Sequence, residues 1–183
     1  MACELVAIDS AASCEFLEGG ILYSYAVDLA EVTGVTLTTG VITNFTMAAP
    51  GAWVRYDYDQ DGTANYNQTG SKNGNLINIE QAAFLKFKGF NAAYVDAANK
   101  AIQCCNVLVI HVLSNGTRVV QGLELSAGAA SGFVKTKGSE TRIVPNMATG
   151  TTQEESRLEY NILGTARSVS ITTDLTDAEI EAL

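Results

Sequence analysis

The chain lacks most of the residues from which common active sites are built. Its single histidine, His111, lies inside the apolar run Val107 to Leu113, and no G-x-S-x-G motif supplies a nucleophile for a Ser-His-Asp triad. The sequence also contains no P-loop, no dinucleotide-binding fingerprint and no HExxH zinc motif. The acidic group Glu154, Glu155 and Glu159 could hold an acid–base pair, but a solvated face explains it better. We therefore expect that the protein is not an enzyme.

Basic residues are also scarce. The chain of 183 residues carries 11 Lys and Arg against 20 Asp and Glu, a net charge of -9. Because affinity for nucleic acid rests largely on contacts of Lys and Arg with phosphate, tight nucleic-acid binding is not expected. No basic segment followed by an apolar one marks a signal peptide, and no apolar run is long enough to span a membrane. We expect no membrane partner and no cofactor.

The four cysteines do not form a metal-binding pattern. Cys3 and Cys14 lie near the N-terminus, and Cys104 and Cys105 are adjacent. Neighbouring cysteines cannot easily bridge each other, and no CxxC spacing is present for zinc. The sequence therefore predicts reduced thiols in a protein made in the cytoplasm.

Most of the sequence is typical of β-strands. Hydrophobic residues make up 47% and charged residues 17%, as in a folded β-rich chain, and residues 1–183 are predicted to form one domain. Leu76 to Lys88 alternates in polarity at both ends, and a break at QAAF predicts a β-bulge. Val107 to Leu113 is apolar on both faces. After it, Asn115-Gly116 predicts a type I′ turn, in which both residues have positive φ, and Thr117 to Leu125 is the return strand.

One amphipathic helix is predicted from Asn91, a suitable N-cap, to Asn106, a suitable C-terminal residue. Its predicted apolar face comprises Val95, Ala98, Ile102 and Cys105. At the C-terminus, Thr176 and Glu179 can form the capping box of a second, short helix. Since one long helix cannot cover so many strands, the expected fold is mainly β, a β-barrel or sandwich with one packed α-helix.

One segment resembles the start of a calcium-binding loop. Asp57, Asp59 and Asp61 place carboxylates at the first, third and fifth positions, and a glycine follows at the sixth. Position twelve, however, is Gln68 rather than a glutamate, and the flanking segments have the pattern of strands. The three aspartates are a weak calcium candidate, and the alternative is a strand whose polar face leads into an acidic hairpin tip.

Several motifs follow one another in a recognisable order between residues 14 and 170. They are Gly19-Gly20-Ile21 before YSYAVDL, the WVRYDYD strand, the lone helix, the hairpin VLVIHVLSNGTRVVQGLEL, and a Gly/Ala/Ser loop that ends in SGF. This order resembles the major tail proteins (tail tube proteins) of tailed phages, especially phages of Bacteroidota. The sequence departs from that family's pattern after Lys137, where MATGTTQEESRLEYNILG is longer and more polar.

The resemblance implies a structural virion protein. In that family, copies form six-membered rings whose sheets join into a continuous inner barrel, and the rings stack into a tail tube. The implied partners are copies of the chain, other tail proteins, and DNA that passes through the lumen without specific binding. Assembly in the host cytoplasm and a final location in the phage tail are implied as well. An acidic lumen would repel phosphates, and His111 is expected to be structural or to face the lumen.

Candidate contacts between subunits lie in a predicted hairpin from Trp53 to Gln68. They are Trp53, Tyr56, Tyr58, Asp59 and Asp61. Their aromatic rings suit an interface core, although Trp53 fits the subunit's own core equally well. The N-terminal segment 1–15 and the C-terminal segment 174–183 are further expected contact elements. The alternative function is a calcium-dependent β-sandwich module for glycan binding or adhesion. Within the structural class, a tail terminator or a capsid decoration protein is a further alternative.

Overall fold

The computed structural model describes residues 5, 7–9, 20–48, 53–57, 64–74, 76–89, 91–104, 106–123, 141–151, 156–166 and 171–183. The chain is mainly β and forms two sheets, which confirms the expected fold class. In the described residues each sheet ends in two edge strands, so the architecture is a sandwich and not a closed barrel.

The larger sheet has eight strands, numbered here in chain order. From one edge to the other they are β1 (Ile8–Asp9), β5 (Val54–Asp57), β2 (Ile21–Asp28), β8 (Val107–Leu113), β9 (Arg118–Gln121), β12 (Ile171–Thr173), β4 (Val41–Met47) and β3 (Val32–Thr38). The β1–β5 and β12–β4 pairs are parallel, and the other pairs are antiparallel.

The smaller sheet has four strands and is antiparallel throughout. Their spatial order is β10 (Arg142–Ala148), β11 (Arg157–Ala166), β7 (Leu76–Lys88) and β6 (Asn65–Asn73). The predicted extent of β7 is confirmed, but the predicted bulge is wrong. The register of β7 against both neighbours runs through QAAF without a shift, because alternate residues there already point to opposite faces.

The long helix, α1 (Ala92–Gln103), starts where the sequence predicts and ends earlier. The side chain of Asn91 accepts a hydrogen bond from the backbone N–H of Tyr94 (2.9 Å), which confirms the N-cap. The predicted apolar face is confirmed at Ala98 and wrong at Ile102, and Cys105 lies outside the described residues. The buried residues are Tyr94, Ala97, Ala98 and Ala101. Ile102 is 62% exposed, so small alanines rather than large aliphatic residues let the helix approach the sheets.

The second helix, α2 (Asp177–Glu181), has the predicted capping box between Thr176 and Glu179. Among the described residues, neither helix combines the length and the apolar character needed to cross a membrane. A single 3₁₀ turn, Leu29–Glu31, follows β2.

Both faces of the larger sheet are buried at β2 and β8, because these strands lie between two hydrophobic cores. The main core lies between the two sheets and α1, and includes Tyr56, Phe87 and Tyr160 with their rings in edge-to-face contact. The second core lies on the far face, where β3, β4 and α2 cover β2 and β8. This arrangement explains why nearly every residue of β8 is apolar: successive side chains enter different cores.

The turn between β8 and β9 differs from the predicted type I′ turn. Only Gly116 has a positive φ (82°). The N–H of Gly116 donates to the carbonyl of Leu113 (2.9 Å), and the N–H of Leu113 donates to the carbonyl of Thr117 (2.9 Å). This is the pattern of a type I turn followed by a left-handed glycine. Asn115 stabilises it by accepting a hydrogen bond from the N–H of Thr117 (2.9 Å), so it does not need positive φ.

Candidate functional site

The predicted contact residues do not form one exposed patch. Trp53 is half-buried and its ring packs on Phe45 of the second core, with ring centroids 5.3 Å apart. Tyr56 is 0% exposed in the main core, so its ring is unavailable to a partner. Tyr58, Asp59 and Asp61 lie outside the described residues. The hypothesis that these aromatic rings form an interface core is therefore not supported at Tyr56.

The one described member of the calcium candidate is already engaged by a cation. Oδ1 of Asp57 lies 2.9 Å from Nε of Arg55, and both side chains are about one-third exposed. In the described part of the chain no group of three or more His, Cys, Asp or Glu side chains could hold a metal ion. A calcium ion at Asp57 would have to displace the guanidinium of Arg55.

The smaller sheet contains a long hairpin, β6–β7, whose length is not predicted by the sequence pattern. β6 pairs with β7 through nine consecutive residues, from Asn65 opposite Phe84 to Asn73 opposite Leu76. No further strand lies beyond β6 in the residues that the structure describes. β6 contains no proline and no bulge, and Lys72 is its only charged residue. Natural proteins usually protect an edge of this kind from pairing with another chain, and β6 has little of that protection.

The opposite edge of the same sheet is β10. Pro145 lies in its middle, opposite Tyr160 of β11, and the strand contacts α1. Because the four strands alternate in direction, β10 and β6 run in opposite directions. The two edges could therefore pair with each other only between different copies of the chain.

No family model, curated protein or solved structure matches this chain.

The outer face of the smaller sheet, which points away from the main core, has more positive than negative charge among the described residues. Its charged side chains are Glu80, Lys86, Lys88, Arg142, Arg157 and Glu159. Glu159 is 9% exposed and accepts hydrogen bonds from Arg157 (2.5 Å) and Asn146 (3.0 Å). Half-exposed Val144 and Leu163 form an apolar strip on this face. In a chain of net charge -9, the face is unusual in carrying four cations against two anions.

A buried chain of hydrogen bonds links the two sheets. Ser24 of β2, His111 of β8 and Gln121 of β9 are all 0% exposed. The amide nitrogen of Gln121 lies 3.0 Å from the carbonyl of Ile162 and 3.3 Å from that of Gln81, both in the smaller sheet. Since an amide nitrogen can only donate, the Gln121 oxygen faces Nε2 of His111 at 2.8 Å and accepts its proton.

This arrangement fixes the tautomer of His111. With the proton on Nε2, Nδ1 is an acceptor and receives the hydroxyl proton of Ser24 at 2.9 Å. The serine is thus oriented as a donor inside the sandwich, with no exposed surface for a substrate. The imidazole also lies against the ring of Tyr66 in β6, with centroids 5.1 Å apart. His111 is a structural residue that connects the larger sheet to the edge strand β6.

Burial lowers the pKa of His111 to about 4, and the hydrogen bond to Gln121 opposes that shift only in part. The unfolded chain, with a histidine pKa near 6.5, binds more protons than the folded chain between these two values. The free energy of unfolding is therefore highest above about pH 6.5. It decreases as the pH falls toward 4, by about 3 kcal/mol in total. Urea unfolding of the wild type and of His111→Gln across pH 4 to 7 measures this difference. A constant difference between the two proteins over that range would contradict the prediction.

The C-terminal segment 174–183, predicted as a contact with neighbours, is docked on its own subunit. Ile180 is 0% exposed in the second core. Asp177 accepts hydrogen bonds from the hydroxyl of Tyr23 and from Arg118, the latter at 2.8 Å. Glu181 accepts one from Tyr25 at 2.8 Å. These contacts to β2 and β9 hold α2 over the far face of the larger sheet.

The prediction of reduced thiols is wrong for Cys104, which forms a disulfide. Cys104 is buried in the main core, directly after α1. The other three cysteines lie outside the described residues.

Proposed function

We propose that this protein is a self-assembling structural subunit whose smaller sheet joins that of its neighbours edge to edge, as in a phage tail tube. The observation that carries the proposal is the pair of oppositely directed edge strands, β6 and β10, that bound the four-stranded sheet within the part of the chain that the structure describes. Two copies related by rotation about an axis along the strands present β6 of one beside β10 of the next. The two strands are then antiparallel, so the ladder pattern continues except at Pro145 of β10, which has no N–H to donate.

Ring size agrees with the proposed role. Six copies, the number implied by the resemblance, would give a barrel of about 24 strands from this four-stranded sheet. With strands about 4.8 Å apart and tilted by about 40°, the barrel backbone would be roughly 50 Å across. Side chains on both walls narrow this channel by roughly 10 Å, which leaves it wider than a DNA duplex. In such a ring α1 and the larger sheet lie on the outside.

The tip of the β6–β7 hairpin is the better candidate for contacts between stacked rings. Within the described residues, the pairing of β7 with β11 ends at Ile79, whereas the pairing of β7 with β6 continues to Leu76. The ribbon therefore extends past its neighbour strand along the strand direction, which is the direction in which rings stack. We propose this tip in place of the segment from Trp53 to Gln68.

In this arrangement the outer face of the smaller sheet lines the channel. Its described residues carry four cations and two anions, so they give no support to an acidic lumen. DNA would pass over a surface on which basic side chains alternate with carboxylates and with the apolar strip at Val144 and Leu163. The charge of the channel thus differs from the expectation based on the net charge of the chain.

Negative-stain electron microscopy of the purified protein over a range of concentrations tests the proposal. Rings or hollow tubes that form with and without calcium are the expected result. Compact monomers at every concentration would overturn it, and monomers stabilised by calcium would favour the binding module.

Proline substitutions on β6 test which edge is used. Successive N–H groups of an edge strand point alternately toward the partner strand and outward. Only one of the two variants Gln68→Pro and Thr69→Pro therefore removes a hydrogen bond within the sheet. The other should fold, as judged by circular dichroism, and fail to assemble because it blocks the outward ladder. The matched control is the same pair of substitutions at Val35 and Thr36 of β3, the edge of the larger sheet. The β3 variant that folds should still assemble. If the folded β6 variant also formed tubes, the β6 edge would be excluded as the contact.

A further inference from the structure

We propose a register for the contact between copies: β6 of one copy pairs with β10 of the next so that Thr69 lies opposite Asn146 and Gly70 lies opposite Pro145. The inference rests on the proposed function and specifies the residues of that contact. Its partner is a second copy of this chain. The pairing joins residues 67–73 of β6 to residues 142–148, the whole of β10.

The strands of the smaller sheet are staggered in one direction. Through β11, β10 lies level with residues 82–88 of β7, whereas β6 lies level with residues 76–84. The middle of β10 is therefore level with Leu85 and the middle of β6 with Glu80, five residues apart over three strand spacings. With a rise of about 3.3 Å per residue and strands about 4.8 Å apart, this stagger corresponds to a strand tilt of roughly 50°. Closed barrels have a similar tilt, of about 35–45°.

The stagger also has the hand of a barrel with the main core on its outside. The N–H of Gly89, which has the parity of the core-facing residues of β7, donates to the carbonyl of Ser156 beside β11 (2.8 Å). When a strand of L-residues points upward, a residue facing the viewer directs its N–H and C=O to the right. Seen from the core, β11 and β10 therefore lie to the right of β7, and the stagger rises to the right. Strands leaning to the right form the right-handed coil of natural barrels.

Continuing this stagger past β10 selects one register. A tilt of about 40° raises the neighbour's β6 by about five residues over four strand spacings, and the stagger within the subunit raises it by about seven. The neighbour's Thr69 is then level with residues 145–147. Thr69 lies opposite Glu80, on the outer face of the sheet. Residues that lie opposite each other point to the same face, and within 145–147 only Asn146, which lies opposite Glu159, is on that face.

The backbone of both edges fits this register. Because hydrogen-bonded and non-hydrogen-bonded pairs alternate, the core-facing residues of β10, Ile143 and Pro145 among them, direct their backbone groups away from β11. By the same alternation, Gly70 and Lys72 direct theirs away from β7. Lys72 opposite Ile143 can exchange two hydrogen bonds. The N–H of Gly70 can donate to the carbonyl of Pro145, and only the bond that Pro145 would donate is lost.

Gly70 has no evident role within its own subunit. Its φ is not positive, and a Cβ placed on it would have no described atom of the chain within 4 Å. Glycine inside a strand weakens that strand and often marks a place where another backbone approaches closely. In the proposed register the missing side chain leaves room for the pyrrolidine ring of Pro145 in the neighbouring copy.

Cysteine pairs test the register. Asn146→Cys is combined in turn with Asn67→Cys, Thr69→Cys and Ser71→Cys, three exposed positions on the same face of β6. Within one chain β6 and β10 are about 14 Å apart, too far for a disulfide, so a bond between these positions joins two copies. Under mild oxidation the Thr69→Cys pair should give a ladder of oligomers on non-reducing gels, because Cα atoms of a non-hydrogen-bonded pair are about 4.5 Å apart. The other two pairs should lose this ladder, and the single variants give the background from the native cysteines.

Electron microscopy of the same variants under reducing conditions separates the register from the proposed function. Rings or tubes from a variant set in which another pair gives the strongest ladder, or no pair gives one, would overturn the register and leave the assembly intact. Ladders of equal strength from all three pairs would overturn the register as well. The absence of both assemblies and ladders would overturn the register and the proposed function together.

A substitution at Gly70 tests the contact without new cysteines. Gly70→Val should fold with an equal or higher Tm, since the subunit has room for the side chain and strands favour β-branched residues. It should nevertheless lose assembly at concentrations where the wild type forms rings. Ser71→Val is the matched control on the other face, opposite Val144 in this register, and should assemble as the wild type does. Equal assembly of the two variants would contradict the placement of Gly70 opposite Pro145.

Discussion

Replacing Gln121 with leucine is expected to lower the free energy of unfolding by about 3 to 5 kcal/mol. The substitution removes the acceptor of the Nε2 proton of His111 and the donor to two carbonyls, those of Gln81 and Ile162. All these groups are enclosed between the sheets, where water does not replace the lost partner and each unsatisfied group costs about 1 to 3 kcal/mol. Urea unfolding at pH 7 measures the effect.

Gln103→Leu is the matched control for this substitution. Gln103 is exposed on the last turn of α1, so the same chemical change should alter the unfolding free energy by less than about 0.5 kcal/mol. Similar small losses in both variants would show that Gln121 does not link the sheets. A large loss confined to Gln121→Leu would support the link between the larger sheet and the edge strand β6.

Replacing Ile180 with aspartate is expected to lower the free energy of unfolding by about 3 to 5 kcal/mol, or to detach α2 from the larger sheet altogether. Ile180 is 0% exposed in the second core, and the described residues around it there are hydrophobic. A carboxylate at this position would lose its hydration without gaining a cation. Thermal unfolding followed by circular dichroism gives the loss, and limited proteolysis shows whether the C-terminal segment has left its site.

Ala178→Asp controls for the introduced charge. Ala178 is exposed in the first turn of α2, where a negative charge is favoured by the helix dipole, so the Tm should stay within a few degrees of the wild type. If Ile180→Asp were equally well tolerated, α2 would not be docked as the structure describes. Concentration-dependent unfolding of either variant would indicate that the segment contributes to contacts between copies instead.

The features predicted best from the sequence were those determined by local chemistry. The bounds of β7 and β8 follow from apolar runs with turn residues at their ends, and both caps, Asn91 and Thr176, depend on a side chain within three residues. These features can be predicted without knowing which other elements pack on the strand or helix. They can therefore be recognised from short stretches of sequence.

The predictions that the structure contradicts depended on contacts with distant parts of the chain. The buried face of α1 is lined by alanines because β10 approaches it closely, and the helical pattern alone favoured the larger side chains of Val95 and Ile102. The turn at Asn115 took one positive φ instead of two, since its side chain accepts a backbone hydrogen bond. The link through Gln121 was missed because its partners are about forty residues away in sequence.

The candidate site was predicted least well, for a related reason. The aromatic residues around Tyr56 predict an interface core, but β5 lies between β1 and β2 and Tyr56 points into the main core of its own subunit. The edge strand β6 has a mostly polar sequence with one charged residue, Lys72, and this sequence gives little local signal. An edge is a property of the whole sheet, so it becomes visible only once the strand order is known.

The shared position of β8 between the two cores has a thermodynamic consequence. A domain with two separate cores can melt in two steps, but here β2 and β8 supply side chains to both cores, so loss of packing in one core weakens the strands on which the other core is built. The subunit should therefore behave as one cooperative unit. Substitutions at the C-terminal helix and at the inter-sheet hydrogen bonds should then affect the same unfolding equilibrium of the whole subunit, although the two places lie on opposite faces of the larger sheet.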